Sequence, residues 1–127
     1  MKPVVVDTSV WRGFFAGRTA ARPLGELLSV AGVVLVHPLV VGELVLGGLA
    51  AVEEKLLYQL PRVERVDYPQ VLAVIRHHRL VRKGIGWVDA ELLASTLLSK
   101  ALLWSLDISL AAAALELEIA CDLTQVL

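Results

Sequence analysis

Four short apolar segments of the chain each end in a single carboxylate: Val4-Val5-Val6-Asp7, Leu39-Val40-Val41-Gly42-Glu43, Gly86-Trp87-Val88-Asp89 and Leu102-Leu103-Trp104-Ser105-Leu106-Asp107. A carboxylate so close to core-type residues is costly unless it is paired, hydrogen-bonded or bound to a metal. Any fold this chain adopts must therefore carry four acids at the margin of its core. If the four converge, they make an oxygen-only site for a hard cation. Mg²⁺ or Mn²⁺ held by a few carboxylates is the usual apparatus of phosphodiester hydrolysis.

Around these acids the chain alternates between two periods. Residues 4–6 form a β-branched run, and Asp7-Thr8-Ser9 supplies capping side chains for a helix through Trp11 and Phe15. Pro23 opens a second helix over 24–30, and Gly32 stops it before an apolar run at 33–36. His37-Pro38 ends that run, a helix follows over 39–46, and Gly47-Gly48 separates it from another at about 50–60. Residues 62–66 alternate as a short strand would, and Asp67 or Tyr68-Pro69 opens a long helix to about Lys83. After the turn Gly84-Ile85-Gly86, the pattern predicts a helix over 89–100, a buried strand over 101–105, a helix over 107–117 and a last strand over 119–123. Strands alternating with helices at this spacing imply a parallel sheet covered on both faces. Ligands of such sheets bind beyond the carboxyl ends of the strands, which is where Asp7 and Asp107 fall. Glu43 and Asp89, near the starts of helices, are placed to line the same edge.

With 127 residues the chain is expected to be one domain, 1–127. A composition 57% hydrophobic and 20% charged excludes disorder, and it exceeds what one small core needs. Leu27, Leu28, Val30, Leu46, Leu49 and Val52 are candidates for a hydrophobic surface between copies. The formal charge of −1 says little about partners, although setting the four acids aside leaves the remainder mildly basic. Cys121 is the single cysteine, read as a lone buried thiol in a reducing cytosol. Asp7 interrupts the first apolar run too early for a secretion signal, and His37-Pro38 and Gly47-Gly48 break the apolar stretch 27–52 that a membrane span would need. A cytoplasmic protein without a membrane segment is expected.

Other chemistries find no support. His37, His77 and His78 are not spaced as a zinc set, there is no phosphate-binding loop, and a Ser-His-Asp hydrolase would need a nucleophile elbow that is missing. Taken singly, Asp7, Asp89 and Asp107 each have a plainer explanation as helix caps. Glu43 is less easily explained, because no basic residue stands three or four positions away. Arg76, His77, His78, Arg79, Arg82 and Lys83 form the one basic cluster, either a solvated helix end or a rim for phosphates. Arg79 and Lys83 would share a face of that helix. Trp11 and Trp87 are read as core residues, with base stacking as the alternative.

Four ordered motifs carry a resemblance that spans essentially the whole chain. Val4-Val5-Val6-Asp7-Thr8-Ser9-Val10-Trp11, Val41-Gly42-Glu43-Leu44, Gly84-Ile85-Gly86-Trp87-Val88-Asp89-Ala90-Glu91-Leu92-Leu93-Ala94 and Leu103-Trp104-Ser105-Leu106-Asp107 resemble the PIN-domain ribonucleases. Within these, the chain is most similar to the small VapC-type toxins of type II toxin–antitoxin pairs. The resemblance implies a three-layer α/β/α sandwich with a central parallel sheet, and a Mg²⁺- or Mn²⁺-dependent endoribonuclease. It makes Asp7, Glu43, Asp89 and Asp107 the acidic quartet, with Ser9 and Ser105 as supporting hydroxyls. The ions would be held mainly by Asp7, Asp89 and Asp107, with Glu43 completing a second metal site or orienting the water. Arg79, Arg82 and Lys83 would contact RNA, and a homodimer capped by a cognate antitoxin is implied. A PIN-like nuclease of RNA processing or DNA repair without an antitoxin, or a silent binding module, are the alternatives. Ile108 and Ser109 depart from the basic residues such toxins often carry after the last acid.

Overall fold

The computed structural model describes residues 2–123, so both ends of the expected 1–127 domain lie outside it. Its strands are β1 (Val4–Val6), β2 (Val34–Leu35) and β3 (Leu102–Trp104), all parallel, in the order β2-β1-β3. The register pairs Val4 with Val34 on one side and with Leu102 on the other. Successive strand side chains point to opposite faces, and Val4, Val5 and Val6 are all fully buried. The sheet is therefore covered on both sides, as the three-layer α/β/α expectation requires.

The helices are α1 (Thr8–Phe15), α2 (Leu24–Leu28), α3 (Pro38–Leu46), α4 (Ala51–Tyr58), α5 (Tyr68–His77), α6 (Trp87–Leu98) and α7 (Ile108–Glu116). The stretch 27–52 breaks into the end of α2, β2 and α3, and no helix among the described residues is long and apolar enough to cross a membrane.

The expected strands at 62–66 and 119–123 are each reduced to one bridge, Val36 with Arg62 and Leu103 with Ala120, both parallel. Backbone geometry explains this, because alternate residues of a strand direct their N–H and C=O to opposite neighbours. In β3 the N–H of Leu102 donates to Pro3 and the C=O of Trp104 accepts from Asp7, which leaves Leu103 alone to bond outward, to Ile119 and Cys121. Val36 does the same at the other edge, with Pro61 and Val63.

The long helix expected to reach Lys83 stops at His77. Arg79 adopts φ 54°, its N–H bonds the carbonyl of Arg76, and the N–H of Leu80 reaches back to Ile75 at 2.9 Å. That is a Schellman end with arginine in the place glycine usually takes, and it turns Leu80 into the core. Arg79 and Lys83 therefore share no helical face. Arg79 and Arg82 both lie in left-handed turns, and Lys83 Nζ lies 3.5 Å from Glu116 Oε2 on α7.

The proposed hydrophobic surface also needs correction. Leu27 is core, because Leu24 and Leu27 form the inward face of the short α2, while Leu28 and Leu49 pack half-buried against it. Val30, Leu46 and Val52 are exposed, Leu46 to 91%. Cys121 is half-buried, and burial together with the charge of Asp122 pushes its thiol up to about 11.

Candidate active site

Parallel order β2-β1-β3 places a switch point between β1 and β3, since the chain leaves β1 toward one neighbour and returns later on the other side. Crevices open at the carboxyl ends of strands at such points. Asp7 follows β1 directly, and its N–H continues the ladder to the Trp104 carbonyl at 3.0 Å. Ser105 and Asp107 follow β3. Helix α6 leads into β3 and must run back along the sheet, which sets its first turn, with Asp89, at the same edge. Helix α3 leaves β2 from that edge and carries Glu43 in its second turn.

Asp7 is buried and is the centre of a hydroxyl network. Its Oδ2 accepts from Ser9 Oγ at 2.7 Å and Ser105 Oγ at 2.8 Å, besides capping α1 through the Ser9 N–H at 3.4 Å. Ser105 Oγ in turn accepts from the Asp107 N–H at 3.0 Å, and Ser9 Oγ from the Leu106 N–H at 2.9 Å. The two serines thus tie the end of β1 to the loop after β3. Asp107 caps α7 by accepting from the Leu110 N–H at 2.9 Å. For Asp7 and Asp107, capping and gathering at one edge both hold; the same carboxylates do both.

Glu43 accepts from Thr8 Oγ1 at 2.6 Å, a bond that joins α3 to the first residue after Asp7. Asp89 is the third residue of α6, three past the N-cap Gly86, not at the helix's first position as the sequence predicts, and it accepts weakly from the Gly86 N–H at 3.4 Å. Its pKa is raised, first by burial and then by the charges of Asp7, Asp107 and Glu43, against a lowering by the Gly86 bond. Asp89 is therefore within electrostatic reach of the other three acids. Among the described residues no three of them close into a ready-made metal cage. Each is held instead by its own hydroxyl or backbone donors.

The donor set fits a hard divalent ion. It is all oxygen, with carboxylates that repel one another and neutral hydroxyls between them, and cation charge relieves that repulsion. Cys121 lies beyond β3 and His37 is sealed in the core, so neither joins the set.

A family model described as PIN domain matches residues 4–118. The chain belongs to the PIN domain family. The resemblance read from the four motifs is borne out, as is the PIN architecture of the sheet. Ribonuclease VapC32 of Mycobacterium tuberculosis, in strains CDC 1551 and H37Rv, is 40% identical over 121 residues, or 89% of this chain and 91% of the relative. The crystal structure of PAE2754 from Pyrobaculum aerophilum covers 98% of this PIN chain and 92% of its own, with a TM-score of 0.65. At 16% identity it bears on the fold alone.

Two features of the PIN chain were not anticipated from its sequence. Thr8 fixes Glu43, although the Asp-Thr-Ser triplet reads simply as a cap. More hidden is Glu91, which is 3% exposed inside the otherwise apolar stretch 90–94 of α6. It takes a bidentate pair of bonds from Arg65, at 2.9 and 3.1 Å, and lies 3.2 Å from His37 Nε2. A charge in a helix buried on every side is the one signal that it must be paired.

Proposed function

We propose that the chain is a divalent-metal-dependent endoribonuclease, the toxin of a toxin–antitoxin pair, with Asp7, Glu43, Asp89 and Asp107 holding Mg²⁺ or Mn²⁺. The observation that carries this reading is the gathering of four acids from separate elements at the switch point of the sheet. The 40% identity to a ribonuclease supports the substrate class. When bound, the ion supplies a positive centre for the scissile phosphate and lowers the pKa of an attacking water. Asp7 is oriented by Ser9 and Ser105, whose hydroxyls donate to it. Glu43, steadied by Thr8, is placed to orient the water or to complete a second metal site. Asp89, raised by burial and its neighbours, is favoured in its charged form by an added cation.

Purified protein incubated with total RNA tests this directly. Discrete new ends should form in Mg²⁺ or Mn²⁺, vanish in EDTA and return on adding metal. Cleavage that persists in EDTA overturns the metal role, and no cleavage with either ion overturns the ribonuclease.

The same reading assigns Arg79, Arg82 and Lys83 to the RNA backbone, now as an exposed turn beside the start of α6. Replacing all three with alanine should weaken RNA binding and flatten its salt dependence, because fewer counterions are released. Filter binding at two salt concentrations decides it; parental binding at both leaves the turn a solvated surface. A toxin of this kind works in the cytoplasm, and its antitoxin is sought in the gene immediately upstream. Leu46 and Val52 give a homodimer an apolar patch. Light scattering that finds a monomer at micromolar concentration removes that assignment.

A further inference from the structure

Of the three tryptophans, Trp11 and Trp104 are buried, and Trp87 is 45% exposed. Trp87 does not join the core as expected because it is the first residue of α6, ahead of the stretch that packs inward. Its ring faces Tyr68, the first residue of α5, with centroids 6.0 Å apart and planes 38° from parallel. Tyr68 is more exposed still. The two rings and Arg65 line an open cavity of about 390 Å³.

The cavity is built rather than incidental. Helices α5 and α6 pack against each other, so the two aromatic residues are fixed at neighbouring helix starts. The Arg65 guanidinium is held by Glu91 from below, at 2.9 and 3.1 Å, which sets its plane while its side chain stays more than half exposed. The acids in the lining are already engaged, Glu91 by Arg65 and Asp67 by the Gln70 N–H it accepts from at 3.1 Å. Trp87 also lines a second cavity of about 230 Å³, together with Arg82. The exposed ring thus adjoins two cavities that each have an arginine in their lining, two residues ahead of Asp89.

We propose that the Trp87–Tyr68–Arg65 cavity is a stacking site for a nucleobase of single-stranded RNA, holding a nucleotide next to the one cleaved. Single-strand sites combine aromatic platforms with cationic tracks for the backbone. Here Trp87 and Asp89 are on the same turn of α6 but about 200° apart around its axis. A strand whose phosphate is at the acidic edge reaches Trp87 by crossing the end of the helix. Every base has a π-face, so the platform supplies affinity and register rather than base identity. The proposal rests on the ribonuclease reading above.

The test uses the Asp7→Asn chain, so that RNA stays whole. A short single-stranded oligouridylate and an abasic ribose-phosphate strand of equal length are titrated against tryptophan fluorescence. The strand with bases should quench emission, and the abasic strand should bind more weakly without quenching. Trp87→Ala should bind the first about tenfold more weakly and the second unchanged. Trp87→Phe should keep most of the affinity while losing the quench. In the chain with Asp7 intact, Trp87→Ala should raise KM and spare kcat. Equal binding of the two strands by the parent, or unchanged binding by Trp87→Ala, overturns the site. So does a change of oligomeric state in Trp87→Ala without loss of RNA affinity, which would assign the ring to a protein contact. Cleavage by the parent separates the cases: a parent that cleaves while Trp87→Ala keeps its KM loses the platform only, whereas a parent that cleaves no RNA loses both.

Discussion

Asp7→Asn is expected to reduce RNA cleavage by roughly 10²–10⁴ while leaving the fold intact. A metal-bound transition state draws several kcal/mol from its ligand charges, and each 1.36 kcal/mol is a factor of ten in rate. The carboxamide has the same size, still caps α1 through the Ser9 N–H, and still accepts from the hydroxyls of Ser9 and Ser105. What it removes is one negative charge from four. In metal-free buffer the variant should therefore melt no lower than the parent, and slightly higher if repulsion is felt, because the charge of Asp7 is one cause of the raised pKa at Asp89. Cleavage with mapped ends and a thermal melt in EDTA check the two halves. Parental cleavage by the variant would remove Asp7 from the ligand set. A collapsed melt would make Asp7 a structural cap first.

The acids could be read because each stands alone after apolar residues, although only Asp7 is buried, Glu43 and Asp89 being half-buried and Asp107 exposed. Strand β1 and the turn into α1 were legible for the same reason: three valines and then Asp-Thr-Ser leave few choices. What the sequence hid is where non-local geometry decides. Helix α5 ends at His77 without a glycine, because burying Leu80 is worth the left-handed Arg79. Trp87 and Trp11 look alike in sequence, yet only the second falls on an inward face. Arg65 and Glu91 are 26 residues apart, and nothing in either neighbourhood announces the partner. The edge strands shrank to one bridge each because the three-residue β3 has one residue to offer outward and β2 only Val36 just past its end, a limit that periodicity does not express.

His37→Ala should cost about 3–5 kcal/mol, a large share of the stability of a domain this size, because one ring does three jobs. Its Nδ1 accepts from the Leu39 N–H at 3.0 Å and so caps α3, and losing a cap costs about 1 kcal/mol. Its Nε2 lies 3.2 Å from both Ser95 Oγ and Glu91 Oε2, and unpaired buried groups cost about 1–3 kcal/mol. The space left by the ring adds to this. A backbone N–H can only donate, so Nδ1 carries no proton and the neutral imidazole has its hydrogen on Nε2. The contact with Glu91 is accordingly a hydrogen bond from a neutral ring rather than an ion pair. Burial holds the pKa of His37 below 6.5, with the Arg65 charge adding to the lowering and Glu91 opposing it. The unfolded chain then takes up the proton first as pH falls. Stability from this residue is complete above pH 6.5 and declines below it, by up to about 1.4 kcal/mol per pH unit until the folded protein also protonates. His37→Asn separates the parts: its carboxamide can cap α3 but is too short to serve Ser95 and Glu91. It should recover about 1 kcal/mol and lose most of the extra acid sensitivity between pH 6.5 and 5. Because α3 carries Glu43, His37→Ala should also slow cleavage at temperatures where it is still folded, and His37→Asn should restore part of the rate. Denaturant melts of the three proteins at pH 7.5, 6.5 and 5.5 measure this. Parallel pH curves for parent and His37→Asn would mean that Glu91 cancels burial and leaves His37 unshifted, and a parent that gains on His37→Asn as pH falls would mean that the ring is charged in the fold.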